Sequence, residues 1–581
     1  MTEEQTLDPL SWRVAGSATG LLAEFNLAGV LETADVHAAQ RISALGEETD
    51  ETVVLAVALA VRALRGGSVC VDLRTVAADA AAPGLGWPAV AGWLAAVRDS
   101  KLAAAGVLRL YGESLLYLDR YWREEQQVCD DLVALAAPRG APASVPGFER
   151  LFPPGRFAEQ RAAAEIVLAQ PVTVLTGGPG TGKTTMVARL LALLAEQAEA
   201  AGRAKPRIAL AAPTGKAAAR LTEAVAEKLT ELSADDRRRL EGLQATTVHT
   251  LLGWRPGSSV RFRHHRGNRL PHEVIVVDET SMVALTMMAR LLEAVRPDAR
   301  LILVGDPDQL ASVEAGAVLA DLVDGLAARP DTKVATLATS HRFGESIGAL
   351  AAAIRDGDAD TTLELLAAGG EHLHWVDVED PTAALRAIVV PHALRVREAA
   401  AHGDVGAALA RLDEHRLLCA HREGSHGVAH WNRQARRWVS EQTGDPAWAE
   451  WYPGRPLLIT ANDYGLGVRN GDTGVVTSGP DGLRAVFATG AGPLEVATSR
   501  LTDVDTMYAM TIHKSQGSQA DEVSVLMPPV DSRLLTRELF YTAVTRAQRT
   551  VRVIGSAESV RAALERRAVR ASGLAQRLRE A

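Results

Sequence analysis

Gly177-Gly178-Pro179-Gly180-Thr181-Gly182-Lys183-Thr184 is the stretch that decides the fold. It fits the phosphate-binding pattern G-x-x-x-x-G-K-[ST], and its surroundings suit that role. An apolar run at 171–175 reads as a strand leading in, and 185–194 reads as a helix leading out. Glycines let backbone N–H groups close around phosphates, and the helix N-terminus adds a favourable dipole. Gly177 to Thr184, with Thr185 behind them, are therefore expected to hold ATP. Lys183 would contact the β- and γ-phosphates, and Thr184 would hold Mg²⁺.

Working outward, Val274-Ile275-Val276-Val277-Asp278-Glu279 is four apolar residues followed by two acids. This places the acids at the carboxyl end of a buried strand beside the phosphate loop. Asp278 is expected to hold the metal through its water shell, and Glu279 to orient and deprotonate an attacking water. The run 301–304 leads into Gly305-Asp306-Pro307-Asp308-Gln309, where the Gln309 amide can sense a γ-phosphate. Together with 171–175, 208–212 and 274–277, these short runs alternate with helical segments, which predicts a parallel α/β sheet covered on both faces. A second α/β unit is expected over 336–581, interrupted at about 453–503 by a stretch rich in turn pairs such as Asn470-Gly471 and Asp481-Gly482. The first unit runs from 146 to 335. Residues 1–145 read as a separate, mainly helical module with helices at 34–45 and 51–64 and a strand pair at 107–110 and 115–118.

Composition sets limits. A length of 581 residues suits several domains. The net charge of −9 excludes a uniformly basic surface but not a local basic track. Cys70, Cys129 and Cys419 form no CxxC pair, so reduced thiols in a cytoplasmic protein are expected, with no structural zinc. The longest apolar stretch, at 53–61, is too short to cross a bilayer.

The three motifs resemble motifs I, II and III of superfamily-one helicases, and further matches follow in order. Gln160 is similar to the glutamine that reads adenine. Ala212-Pro213-Thr214-Gly215-Lys216 resembles motif Ia, and Thr247-Val248-His249 the segment after it. Arg342 in Ser340-His341-Arg342-Phe343 resembles the motif IV arginine. Thr511-Ile512-His513-Lys514-Ser515-Gln516-Gly517 resembles motif V, and Tyr541-Thr542-Ala543-Val544-Thr545-Arg546 motif VI. The resemblance implies two RecA-like P-loop NTPase domains with ATP between them, Arg342 and Arg546 acting as arginine fingers from the second. It also implies strand contacts from Thr214, Lys216, Thr247, His249, His513, Lys514, Ser515 and Gln516. The basic segment 261–269, within a possible insertion at 253–270, suits either a hairpin near a strand junction or a solvated loop.

Within the helicases the chain is similar to the RecD family, the alpha subunits of RecBCD (exodeoxyribonuclease V). The shared features are Gly305 through Gly316, Arg422-Glu423-Gly424 and Asn470-Gly471-Asp472-Thr473-Gly474. The resemblance implies an SH3-like insertion in the second motor domain and an N-terminal module that docks onto partners. It also implies a 5′-to-3′ DNA helicase acting with RecB-like and RecC-like subunits in double-strand-break repair and homologous recombination. A stand-alone helicase, or an ATPase that regulates a partner nuclease, are the alternatives. Gln519 departs from the family, standing near where relatives place a motif V acid.

Overall fold

The computed structural model describes residues 11–80, 82, 84–136, 147–155, 157–254, 262–329, 332–339, 345–463, 465–489 and 492–581. Arg342, the expected join near 145 and much of the expected hairpin lie outside them.

Strand Val274–Val277 is buried throughout, and so is Val172–Gly177. Side chains alternate in direction along a strand, so a run apolar at every position needs cover on both faces. It has that cover. Val274 and Val276 point into one core with Met186, Leu190 and Val304, while Ile275 and Val277 point into another with Met288, Leu292 and Leu303. Six parallel strands form the sheet, in the order Ala245–Thr247, Ile208–Ala212, Val274–Val277, Arg300–Gly305, Val172–Gly177, Ala335–Leu337. Parallel strands share one carboxyl edge. The phosphate loop, the Asp278-Glu279 pair and the Asp306 turn therefore emerge side by side.

The second sheet is also wholly parallel, ordered Leu373–Val376, Ala547–Ile554, Ala520–Leu526, His415–Cys419, Ala509–Thr511. Between its strands comes a five-stranded antiparallel sheet, ordered Gly492–Ala497, Gly482–Thr489, Thr473–Gly479, Pro456–Ile459, Val504–Thr506. The turn pairs at 470–471 and 481–482 sit at or beside the connections, where tight reversals are needed.

In the N-terminal module, helices Thr33–Leu45 and Glu51–Arg65 fall close to their expected bounds, and Leu108–Tyr111 pairs antiparallel with Leu115–Leu118. The module has a core of its own around Phe25, Leu55 and Leu59. Its helix Asp119–Ala136, however, buries Val128 and Leu132 in the motor-sheet core. The C-terminal segment departs from its expected place in the second motor domain. Helix Leu574–Glu580 buries Leu574 and Leu578 in that same core, because its two leucines repeat at helical spacing and face helix Val318–Ala327. In the expected hairpin, Trp254 bridges Phe262 and His265 bridges Asn268, both antiparallel. All three cysteines are buried and unpaired with one another.

Candidate nucleotide cleft and interdomain groove

Helix Lys183–Ala200 begins at the lysine itself, so the N–H groups of its first turn lie open at the loop. Gly180 and Gly182 hold φ of +81° and +86°, a region costly for any other residue. A Cβ at Gly182 would also lie 2.5 Å from Gln160 Nε2, so that side chain would have to move aside. The Lys183 ammonium donates to the carbonyls of Gly177 (2.5 Å) and Gly178 (2.9 Å). Thr181 donates to the Gly178 carbonyl at 2.9 Å. Thr184, Thr185, Pro179 and Gln160 line the same cleft, which encloses about 690 Å³. Gln160 is buried and its Oε1 has no partner. A buried amide oxygen left so is costly, and an exocyclic amine such as that of adenine would satisfy it. Beside it the Arg189 guanidinium lies 4.0 Å above the Phe157 ring.

Across the cleft, Asp278 is partly buried, and this desolvation raises its carboxyl above the usual range, with the Glu279 charge adding to it. Glu279 takes φ of +50°, a left-handed value for a non-glycine residue, and its N–H donates to Asp278 Oδ1 at 2.9 Å. The turn is held by Thr280, whose hydroxyl donates to the Val277 carbonyl at 2.9 Å. Asp306 accepts from Gln309 Nε2 (3.0 Å) and from the Tyr541 hydroxyl (3.1 Å). Its carboxyl is raised chiefly by burial.

Tyr541 and Arg546 come from the second parallel unit. Arg546 Nη2 donates to Gln309 Oε1 at 2.9 Å, and its Nε to the Thr542 carbonyl at 3.1 Å. The Leu310 N–H donates to Thr542 Oγ1 at 2.8 Å, and Gln516 Nε2 to the Leu310 carbonyl at 2.8 Å. The turn carrying Gln309 is thus gripped from both sides by the second unit. Arg342 lies outside the described residues.

A second groove of about 770 Å³ runs between the two units on another side. Thr214 and His249 line it from the first unit, and His513, Lys514 and Gln516 from the second, with Arg422 and Asn470. The other three residues expected on a strand do not line it and have work within the fold, as do Gln516 and Thr214, the latter capping helix Gly215–Thr230. Ser515 is buried and donates to the Ile512 carbonyl at 2.6 Å. Thr247 caps helix Val248–Leu252, accepting from the Thr250 N–H at 3.1 Å. Lys216 is partly buried, and desolvation pulls its ammonium down to about 8, with the Arg416 charge adding to this and Asp413 and Asp472 opposing it.

A model described as the N-terminal domain of RecBCD enzyme subunit RecD matches residues 27–110. An AAA-domain model matches 157–378, and a UvrD-like helicase C-terminal domain model matches 506–554. RecBCD enzyme subunit RecD of Mycobacterium tuberculosis (strain H37Rv) is 68 % identical over 565 residues, covering 97 % of this chain and 98 % of that one. The chain belongs to the RecD family. The RecD subunit of Mycolicibacterium smegmatis is likewise 68 % identical, over 95 % of this chain and 98 % of its own. The ATP-dependent RecD2 DNA helicase of Deinococcus radiodurans is 32 % identical over 83 % of this chain and 61 % of its own.

As a RecD-family member the chain is an ATP-using motor of the helicase type. Several residues of this RecD cleft escaped sequence reasoning. Asp306 and Tyr541 lay inside quoted motifs without a stated part, and Phe157, three residues before Gln160, was not singled out. Arg220 and Gln519 join the two units: Arg220 Nη1 donates to the Gly517 carbonyl at 3.3 Å, and Nη2 to Gln519 Oε1. The departure at Gln519 thereby gains a partner on the first unit, which an isolated motif comparison does not reveal.

Proposed function

We infer that this chain is an ATP-dependent 5′-to-3′ DNA motor, acting with RecB-like and RecC-like subunits in double-strand-break repair and homologous recombination. The observation that carries this reading is the Arg546–Gln309 hydrogen bond across the cleft that holds the phosphate loop. Through it, a group that senses the γ-phosphate and a cation from the second unit share one contact, so closure of the cleft and hydrolysis become one event. Arg546 then offsets charge developing on the transferred phosphoryl group, and Arg342 is read as its companion. Glu279 takes the proton of the attacking water, Lys183 neutralises the phosphate oxygens, and Gln160 accepts from the adenine amine.

Thr184 and Asp278 supply hard oxygen ligands, which suit Mg²⁺. Among the described residues no cluster of three or more His, Cys, Asp or Glu could hold a metal, and Mg²⁺ in such sites needs only one or two protein ligands beside phosphate oxygens. The ion's contribution there would be charge neutralisation on the phosphates.

Thr214, His249, His513, Lys514 and Gln516 are read as contacts to a single strand in the interdomain groove, with Lys216, Thr247 and Ser515 supporting them from behind. Near-full-length similarity to proteins named as RecBCD subunits supports the assembly, and the RecD-type N-terminal match supports 1–145 as the docking module. The strand order of the antiparallel sheet, with a 3₁₀ turn Thr498–Arg500 before its last strand, supports reading 453–503 as SH3-like. No helix among the described residues is long and apolar enough to cross a membrane, in keeping with a cytoplasmic place.

Polarity and assembly are tested together on the purified complex. Lys183→Ala should remove strand separation that starts on 5′-tailed DNA and spare any that starts on 3′ tails. The reverse pattern, or a chain that copurifies with no partner, would overturn the reading.

A further inference from the structure

The interdomain groove does not stop at the two motor units. It shares His249, Ala284, Met287 and Glu314 with a further pocket of about 410 Å³, and this one is closed on its far side by the N-terminal module through Leu64, Arg120 and Tyr121. We propose that this pocket receives an unstacked nucleobase of the single strand leaving the groove past His249, so that the N-terminal module forms part of the strand path.

Three observations point to a base and not to a phosphate. The pocket is lined by two flat rings: Phe262, with the His249 ring 5.9 Å away, and Tyr121, with the Arg120 guanidinium 5.5 Å from its centroid. Aromatic faces hold any base regardless of sequence. Glu314 sits in the shared wall, and both arginines of the lining already have carboxylate partners, Arg120 on Glu124 and Arg290 on Glu293, so neither charge is left over for a phosphate. Arg290 also lines the pocket, and its Nε has no partner among the described residues, so a small turn of the side chain would bring a donor to a base edge. The volume falls in the range of small-ligand sites, roughly 300–1,000 Å³.

Position follows from continuity. The strand contacts read in the groove end at His249 on this side, and His249 is also the first ring of the pocket. The base that enters is therefore the one next to the nucleotide at His249. Because Tyr121 and Arg120 sit at the start of helix Asp119–Ala136, which buries Val128 and Leu132 in the motor core and packs Tyr121 against it, the module cannot shift without moving the pocket wall.

The inference rests on the reading of the groove as a strand channel, and the experiment separates the two. In the full complex, with partner ATPases inactivated, oligothymidylates lengthened one nucleotide at a time are titrated against DNA-stimulated ATPase. Wild type should gain affinity up to the length that fills the pocket. Tyr121→Ala should lose about tenfold of that affinity, confined to the longest oligomers, and Tyr121→Phe should retain it. Independently of any variant, 5-iododeoxyuridine placed one nucleotide beyond the position that crosslinks to His249 should crosslink to Tyr121 or Phe262 in the wild-type complex. Groove crosslinks to His249 or His513 with none to Tyr121 or Phe262, or a length profile unchanged by Tyr121→Ala, overturns the pocket and leaves the channel standing. No crosslink at any of the four residues overturns both.

Discussion

Arg546 is fixed at two points, by Thr542 in the helix just before it and by Gln309 across the cleft, and it is buried. A group so placed acts on charge that appears during reaction more than on bound ATP. Arg546→Ala should therefore leave nucleotide affinity close to wild type and slow turnover by up to about 10³-fold. Fluorescent-nucleotide titration beside single-turnover hydrolysis distinguishes this from weakened binding with turnover kept, which would contradict the two-unit cleft. Lys183→Ala should cost about 10²–10³ in rate, while Glu279→Gln should trap ATP unhydrolysed. Near-normal turnover in either variant removes the role given to that residue. These residues were legible because each sits in a contiguous motif whose neighbours announce a strand end or a loop. Tyr541 on Asp306 was not, since the pair is 235 positions apart and only cleft closure brings it together. Ser515 and Thr247 show why strand contacts are harder to read: a hydroxyl at a turn can serve its own backbone as readily as a ligand.

Where helix Thr382–Ala401 crosses strand His415–Cys419, the buried His415 meets the partly buried His392 with ring centroids 5.3 Å apart. His392 Nε2 lies 2.7 Å from the Arg411 carbonyl, and His415 Nε2 lies 2.9 Å from Ser524 Oγ. Burial holds both below the ordinary histidine value, His415 well below it, and neighbouring cations including Arg416 and Arg395 push the same way. In the unfolded chain these rings take up protons near pH 6.5, whereas in the folded one they resist. Below that pH the unfolded state binds more protons, so stability falls as acidity rises. The thermal midpoint should drop between pH 7 and 5.5, and His415→Gln should flatten the slope. An unchanged slope in that variant would exclude the pair as its source. Such a junction is illegible in sequence, where His392 and His415 look like surface residues of separate elements. The elements themselves were plain, because four apolar residues in a row bounded by charge suit little except a covered parallel strand. Helix ends were less so. The helix after the phosphate loop runs to Ala200, beyond the expected 194, because the alanine-rich sequence carries no stop.

Across the whole molecule, the segment after residue 566 ties the second motor unit back to the first and to the N-terminal module. Arg570 Nη1 donates to the carbonyls of Ser312 and, at 3.1 Å, Glu314. Val69 N–H donates to the Ala571 carbonyl at 3.0 Å. Glu125 accepts from Ser572 Oγ at 2.7 Å, from the Tyr117 hydroxyl at 2.9 Å and from Arg577 Nε at 3.4 Å. Both Glu125 and Arg577 are almost fully buried, and the guanidinium lies 3.8 Å from the Tyr111 ring centroid. Removing one charge of such a pair strands the other. Glu125→Ala should cost about 3–5 kcal/mol in denaturant unfolding, and Glu125→Leu with Arg577→Met should recover much of it. A double variant no better than the single one would show that packing, not the stranded charge, sets the loss. Leu574 and Leu578 complete a core whose other members are drawn from the N-terminal module and residues up to about 326. On the ribosome those earlier segments emerge roughly 250 residues before the helix that finishes them. At about 5–20 residues per second the nascent chain carries an uncovered leucine-sized groove for some 12–50 s. During that interval it is a client for whatever holds unfinished chains, and a stalled or prematurely terminated message leaves a product with that groove permanently open.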